Sequence, residues 1–138
     1  MFRTPLVFAI AVAAFAAGSA VAQSASQTSP MGKWQATEIS GASVAADVQT
    51  TLEIAEDGQS TGSGGCNTFR GMAEFSITAI SFGPLAGTKM ACPEPAMNQE
   101  VKFHKALEQV KAWKFEQPHH LLLLDADNNV VVKLAAQK

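Results

Sequence analysis

The sequence lacks a long apolar run and a basic run, and each absence argues against a class of protein. Its longest apolar stretch, residues 6–17, is well short of the roughly 20 residues that cross a bilayer. A membrane anchor is therefore disfavoured. The chain has 10 basic and 12 acidic residues with no basic cluster, which argues against nucleic acid or an anionic membrane as a partner.

The N-terminus has the pattern of a secretory signal. Arg3 precedes the apolar run, and Ala20-Val21-Ala22 is a small-x-small cleavage motif, which predicts a signal peptide over residues 1–22 and a mature chain beginning at Gln23. No cysteine follows the apolar run, so no lipid attachment site is present there. We expect a periplasmic or secreted protein with no membrane span after cleavage.

The mature chain is long enough for one domain. Removing 22 of the 138 residues, Arg3 among them, leaves 116 residues with nine basic and 12 acidic side chains, a net charge of about −3. That length suits a single core. Residues 23–31, rich in Ser, Gln and Thr, predict a disordered leader. The folded domain is expected over 32–136, as a monomer.

The only two cysteines are Cys66 and Cys92. In an exported chain, two cysteines are read most simply as a disulfide, because the compartments outside the cytoplasm are oxidising. Closing this loop is expected to stabilise the fold by roughly 3.5 kcal/mol on a chain-entropy estimate.

Alternation of apolar and polar residues predicts about eight short strands and one helix. The predicted strands are 33–39, 50–55, 59–63, 69–75, 79–82, 112–116, 120–125 and 130–134. The predicted helix is 96–111, preceded by Pro93-Glu94-Pro95, since proline favours the first helical turn. Its expected apolar stripe consists of Val101, Phe103, Ala106, Leu107 and Val110. The predicted class is mostly β (α+β), a strongly curved antiparallel sheet or small barrel with an amphipathic helix packed on it.

Three motifs at fixed separations carry a family resemblance. They are Gly65-Cys66-Asn67-x-Phe69-x-Gly71, then Phe82-Gly83-Pro84-Leu85-Ala86 with Thr88-Lys89-Met90-Ala91-Cys92, then Glu100 opening an amphipathic helix. The sequence from Gly32 to Leu134 resembles the META/HslJ family. The resemblance implies a small barrel-like antiparallel sheet with one helix. It also implies a bacterial envelope protein linked to heat shock and tolerance of toxic compounds, with no general catalytic activity or cofactor.

Two features depart from the family pattern. Many relatives carry a lipoprotein signal, which this sequence does not have. Lys89 stands where relatives often have Arg, which weakens any bidentate pairing with a carboxylate there.

Several candidate sites have simpler structural interpretations. The glycines Gly62, Gly64 and Gly65 lack the Gly-Lys-Ser/Thr ending of a phosphate loop and predict a sharp bend. His119 and His120 are adjacent at the start of a predicted strand, where successive side chains point to opposite faces, which disfavours a shared metal.

The segment Asp125, Asp127 and Asn129 resembles the first ligands of a calcium loop. Val130 and Ala136 replace the glycine and glutamate that such a loop needs, so a polar turn is predicted instead. We predict no catalytic residue, no metal site and no cofactor.

Four residues remain as possible ligand or partner contacts: Asn67, Arg70, Thr88 and Lys89. Asn67 and Thr88 flank the cysteine motifs, where a short polar side chain either bonds the local backbone or contacts a ligand. Arg70 and Lys89 are either a cationic rim or two solvated charges. A Cys66 nucleophile would need a free, activated thiolate.

The sequence thus predicts a non-enzymatic exported domain that supports stress tolerance by binding an envelope protein or another envelope component. Two alternatives stay open. A curved sheet of about eight strands can hold one small apolar ligand inside, and an inhibitor of a secreted hydrolase would use loops such as 40–47. The aromatic residues expected to fill the interior are Trp34, Phe69, Phe75, Phe82, Phe103, Trp113 and Phe115.

Overall fold

The computed structural model of the protein describes residues 11–14 and 28–137. The expected signal peptide, apart from residues 11–14, and most of the expected leader lie outside these residues. Pro30, at the end of that leader, is buried, and its carbonyl accepts a hydrogen bond from the indole Nε1 of Trp34 at 2.9 Å. Pro30 is therefore part of the packed structure.

Ten strands and one helix make up this part of the chain. In order they are β1 Gly32–Ile39, β2 Ala42–Ser43, β3 Thr51–Ile54, β4 Gln59–Ser63, β5 Thr68–Phe75, β6 Ile80–Phe82, β7 Ala86–Gly87, α1 Ala96–Gln109, β8 Ala112–Glu116, β9 His120–Leu124 and β10 Val130–Ala136. The eight longer strands match the predicted ones to within two residues at each end. The two-residue strands β2 and β7 were not predicted, because two residues are too few to show an alternation.

All pairings between neighbouring strands are antiparallel, in the order β6-β5-β4-β3-β1-β10-β9-β8. The two ends of this order meet where Ala79 pairs with Ala112 and the Trp113 N–H donates to the carbonyl of Thr78 at 3.1 Å. The sheet is therefore a nearly closed eight-strand barrel, as the sequence predicts. β2 pairs with β1, and β7 pairs with β5.

Side chains fill the barrel interior. Four of the seven aromatic residues expected there are buried (Trp34, Phe69, Phe103 and Trp113), and the other three pack against them partly buried. The four consecutive leucines Leu121–Leu124 are all buried, so β9 is covered on both faces. In β1, a register shift between Ala36 and Glu38 lets Ile39 face inward despite its odd spacing from Ala36.

Helix α1 packs against β1, β6 and β10, with Phe103, Ala106 and Leu107 buried as predicted. It ends at Gln109 rather than at residue 111, because Val110 is already extended. The prediction that Val101 belongs to the buried stripe is wrong, since it is 62% exposed. Gln99 and Glu100 are buried instead, two positions and one position earlier on the helix, so the buried face includes polar residues. No helix in the described ranges is long and apolar enough to span a membrane.

Candidate binding cleft

A disulfide joins Cys66 and Cys92, with their Cα atoms 5.9 Å apart. The predicted pairing is confirmed. Cys66 lies in the bend between β4 and β5, and Cys92 lies between β7 and α1. The bond therefore fixes the segment that contains β7 against the start of β5.

Asn67 holds the same segment through its side chain. Its Nδ2 donates to the Met90 carbonyl at 3.1 Å and to Glu100 Oε2 at 2.8 Å. Its Oδ1 accepts from the Met90 N–H at 2.6 Å and from the Thr88 hydroxyl at 2.9 Å. These partners lie between 21 and 33 positions along the chain, so the side chain of Asn67 joins distant segments rather than bonding the local backbone.

Glu100 is the charged end of this network. Its Oε1 accepts from the backbone N–H of Asn67 at 2.6 Å and of Cys66 at 3.3 Å. The residue is only 6% exposed, and a buried carboxylate is tolerated only where hydrogen bonds replace its hydration. Gly64 allows the approach, since a Cβ there would lie 2.6 Å from the Cγ of Glu100. The sequence interpretation that Glu100 serves the N-terminal end of the helix missed this contact.

The preceding residue, Gln99, ties the helix to another loop. Its Oε1 accepts from the Ala45 N–H at 2.8 Å, and its Nε2 donates to the Thr50 hydroxyl at 2.8 Å and the Val48 carbonyl at 3.2 Å. The Thr50 hydroxyl in turn donates to the Gly64 carbonyl at 2.8 Å. Two consecutive helix residues therefore fix the loop before β3 and the bend before β5.

A cleft of about 690 Å³ opens between the helix and the segment that carries β7. One wall is a single face of α1 with Met97, His104, Leu107 and Glu108, and the other is formed by residues from Phe82 to Ala91. Phe69 lies between the two walls, with its ring centroid 5.3 Å from that of His104 in an edge-on arrangement. Asn67 and Glu100 also line the cleft. The volume is in the range of small-molecule binding sites.

A second depression of about 670 Å³ lies on the other side of β7, over β3, β4 and β5. It shares Thr68, Phe69, Gly87 and Thr88 with the cleft. Arg70 lines this depression, whereas Lys89 lines the cleft. The structure thus brings Asn67, Thr88 and Lys89 together in the cleft and places Arg70 outside it.

The residues that sequence reasoning missed come mainly from the helix wall. Met97, His104 and Glu108 lie at helical spacing on one face, and Leu85 and Met90 face them from the opposite wall. The helical spacing was visible in the sequence, but nothing there indicated that this face is left uncovered by the sheet.

The remaining candidate sites have structural roles. Gly58 adopts a positive φ of 91° in the turn after β3, a conformation that glycine takes without strain. Among residues 11–14 and 28–137, no group of three His, Cys, Asp or Glu side chains is placed to hold a metal ion.

The segment that resembles a calcium loop is a hairpin turn between β9 and β10. Asp125 Oδ1 accepts from the backbone N–H of Asn129 and of Asp127, both at 2.9 Å. The hydrogen bond from the Asn129 N–H is the main reason that the pKa of Asp125 lies below its usual value. These bonds are those of a polar turn.

Comparisons with known proteins agree with this architecture. A solved structure described as "NMR structure of the protein from Burkholderia xenovorans" is 21% identical, covers 78% of this chain and 82% of that chain, and superposes with a TM-score of 0.59. A second, described as "NMR structure of the protein", is 20% identical, covers 76% and 88%, and has a TM-score of 0.57. At these identities the likeness concerns the fold. A comparison with curated proteins gives no match.

The family comparison is more specific. The sequence profile of the META domain matches residues 27–138, which includes the disulfide, the hydrogen bonds of Asn67 and Glu100, and both walls of the cleft. The matched segment spans nearly all of the described chain, and the barrel with one helix lies within it. This chain therefore belongs to the META domain family.

Proposed function

We propose that this chain is an exported, non-catalytic domain that supports envelope stress tolerance by binding a partner from the envelope in the cleft between β7 and α1. The observation that carries the proposal is the cleft itself, which is open, largely apolar and held in shape by a covalent bond and a buried hydrogen-bond network. A pocket with an apolar lining and a few fixed polar groups is the usual form of a binding site.

The chemistry of the lining supports binding rather than catalysis. Both thiols are consumed in the disulfide, so neither Cys66 nor Cys92 is available as a nucleophile. The side chains of Asn67 and Glu100 bond to each other and to the backbone, so most of their hydrogen-bonding positions already serve the fold. Export is supported by the disulfide, since such bonds persist in oxidising compartments.

The location of the cleft bears on the carrier alternative. The barrel interior is occupied by a continuous cluster of buried side chains that includes Phe103, Leu121 and Leu134. An apolar molecule would therefore have to sit in the cleft and not inside the barrel.

The test compares survival of cells that carry variants of this protein in place of the wild type. Met97→Glu places a charge in the cleft wall, and Ile77→Glu places the same charge at a residue that is 72% exposed outside the cleft. We expect Met97→Glu to lower survival under heat and toxic compounds to that of a deletion strain, whereas Ile77→Glu retains wild-type survival. Equal amounts of folded protein are confirmed by immunoblot and circular dichroism. Survival of Met97→Glu at the wild-type level would contradict the proposal.

A further inference from the structure

Strand β7 is an edge strand whose free side belongs to the cleft. It pairs with β5 in the register Phe69↔Gly87 and Arg70↔Ala86, and the Thr88 N–H donates to the Thr68 carbonyl at 3.1 Å. In an antiparallel pair, backbone groups of successive residues point alternately toward and away from the partner. The N–H and C=O of Gly87 therefore point away from β5.

The same alternation continues one step further. Met90, like Thr88, uses its backbone N–H on the β5 side, where Asn67 Oδ1 accepts it. If the alternation of β7 continues through this segment, the backbone of Lys89 faces the free side together with that of Gly87. Within residues 11–14 and 28–137, the backbone N–H and C=O groups of Gly87 and Lys89 have no hydrogen-bond partner. Both residues are exposed and line the cleft.

These backbone groups are exposed polar contacts that the cleft still offers to a ligand. Asn67 already uses both donors and its acceptor oxygen, and the Glu100 carboxylate accepts three hydrogen bonds. The surfaces around them are apolar, with Phe82, Leu107 and Met97. Methionine adapts its shape to different apolar partners.

The charges of the lining distinguish between an anionic lipid and a neutral peptide as the ligand. The titratable lining residues are one lysine, one histidine and two glutamates (Lys89, His104, Glu100 and Glu108), so the site has no excess of positive charge. A fatty acid or phospholipid would bring a further negative charge, and its oxygens could pair only with the free N–H groups, which leaves the carbonyls of Gly87 and Lys89 unpaired. A neutral extended peptide matches both features, because its own N–H and C=O groups pair with an exposed strand edge while alternate side chains contact the apolar walls.

We infer that the cleft binds an extended, neutral segment of unfolded polypeptide by adding it as a strand to β7. The inference rests on the proposed binding function and names its partner chemistry. Gly87 and Lys89 supply the backbone hydrogen bonds, and Phe82, Met97 and Leu107 contact the side chains that point into the cleft. Unfolded envelope proteins expose segments of this kind under stress.

The test uses the mature protein, labelled with ¹⁵N, and a short capped peptide of alternating Val and Ser. Saturation with this peptide is expected to slow amide hydrogen exchange at Gly87 and Lys89 by about tenfold or more. The Thr88 amide, already bonded to β5, serves as the internal reference. A matched peptide that is N-methylated at alternate residues keeps the side chains and loses the donors, and we expect it to bind about fivefold to tenfold more weakly.

Each other result overturns the inference. Equal affinity of the two peptides would mean that the cleft binds through apolar contacts alone. Binding without protection of Gly87 and Lys89 would place the peptide elsewhere. Absence of peptide binding together with binding of oleate would identify a lipid site. None of these outcomes contradicts the wider binding function, which fails only if Met97→Glu retains wild-type survival.

Discussion

The side-chain amide of Asn67 donates to Glu100 Oε2 at 2.8 Å. This hydrogen bond joins the residue before β5 to the fifth residue of α1. The Glu100 carboxylate also accepts the backbone N–H of Asn67 at 2.6 Å. Because both residues are buried, this pair ties the helix to the sheet at the base of the cleft, next to the disulfide.

Replacing the buried carboxylate by an amide should destabilise the protein. In Glu100→Gln one acceptor oxygen becomes an N–H donor, which faces either the backbone N–H groups of Cys66 and Asn67 or the Asn67 amide. We expect the free energy of unfolding to fall by about 2 kcal/mol, since a buried donor is left unsatisfied. Urea denaturation measures the change. Glu108→Gln, on an exposed position of the same helix, should stay within about 0.5 kcal/mol of wild type.

The disulfide prediction concerns the loop from Cys66 to Cys92, which has a sequence separation of 26. The double variant Cys66→Ser, Cys92→Ser should lose roughly 3.5 kcal/mol, because the unfolded chain regains the entropy of an open loop. Its thermal midpoint should fall by more than roughly 10 °C. Wild-type protein in reductant is the control and should match the double variant. An unchanged midpoint in both samples would show that the hydrogen bonds of Asn67 alone hold the segment.

Loss of the Gln99 side chain should destabilise the loop before β3. Gln99→Ala leaves the Ala45 N–H and the Val48 carbonyl without their side-chain partner, and we expect a loss of about 2 kcal/mol. Gln109→Ala, an exposed change near the end of the same helix, should cost less than about 0.5 kcal/mol. Hydrogen exchange at Ala45 should also become faster in Gln99→Ala. Equal stability of the two variants would contradict the clamping role of Gln99.

The turn between β9 and β10 should give a pH dependence. Backbone hydrogen bonds, first that from Asn129, hold the pKa of Asp125 below its usual value of 3.8. The folded state therefore binds a proton at Asp125 less readily than the unfolded state does. The contribution of the ionised carboxylate to the free energy of unfolding is present above pH 3.8 and is lost as the pH falls through the folded-state pKa. In Asp125→Asn, the fall in unfolding free energy over this acidic range should be shallower than in wild type.

Asp127→Asn removes a neighbouring charge in the same turn and is the matched control. Its pH profile should follow that of wild type, because no hydrogen bond to the Asp127 carboxylate is present in the turn as described. Superimposable profiles of wild type and Asp125→Asn would contradict the assigned role of Asp125.

The sequence predicted the elements whose signals are local and repeated. The eight longer strands and the start of the helix at Ala96 appear where expected to within two residues. The cysteine pair was predicted from number and compartment rather than from distance. The prediction that failed concerns a residue whose environment depends on elements distant in sequence. Val101 has the spacing of the apolar stripe, but it is exposed because of the way α1 is rotated against β1, β6 and β10.

The cleft was only partly predictable for the same reason. Asn67 and Thr88 were selected because they flank the cysteine motifs, and Lys89 because it could form a cationic rim with Arg70. All three line the cleft, and Arg70 does not. Glu100 belonged to the recognised motif, but its burial depends on the absence of a side chain at Gly64, 36 positions earlier. Helix propensity and charge placement carry no information about such a contact.

The four leucines of β9 have a further consequence when the chain is unfolded. Leu121–Leu124, covered on both faces in the barrel, then form an uncharged apolar segment of the kind that assembles into intermolecular sheets. Natural sequences limit this tendency by placing charged gatekeeper residues at the ends of such segments. Asp125 occupies that position, so the carboxylate that closes the turn in the folded protein also opposes aggregation before folding is complete.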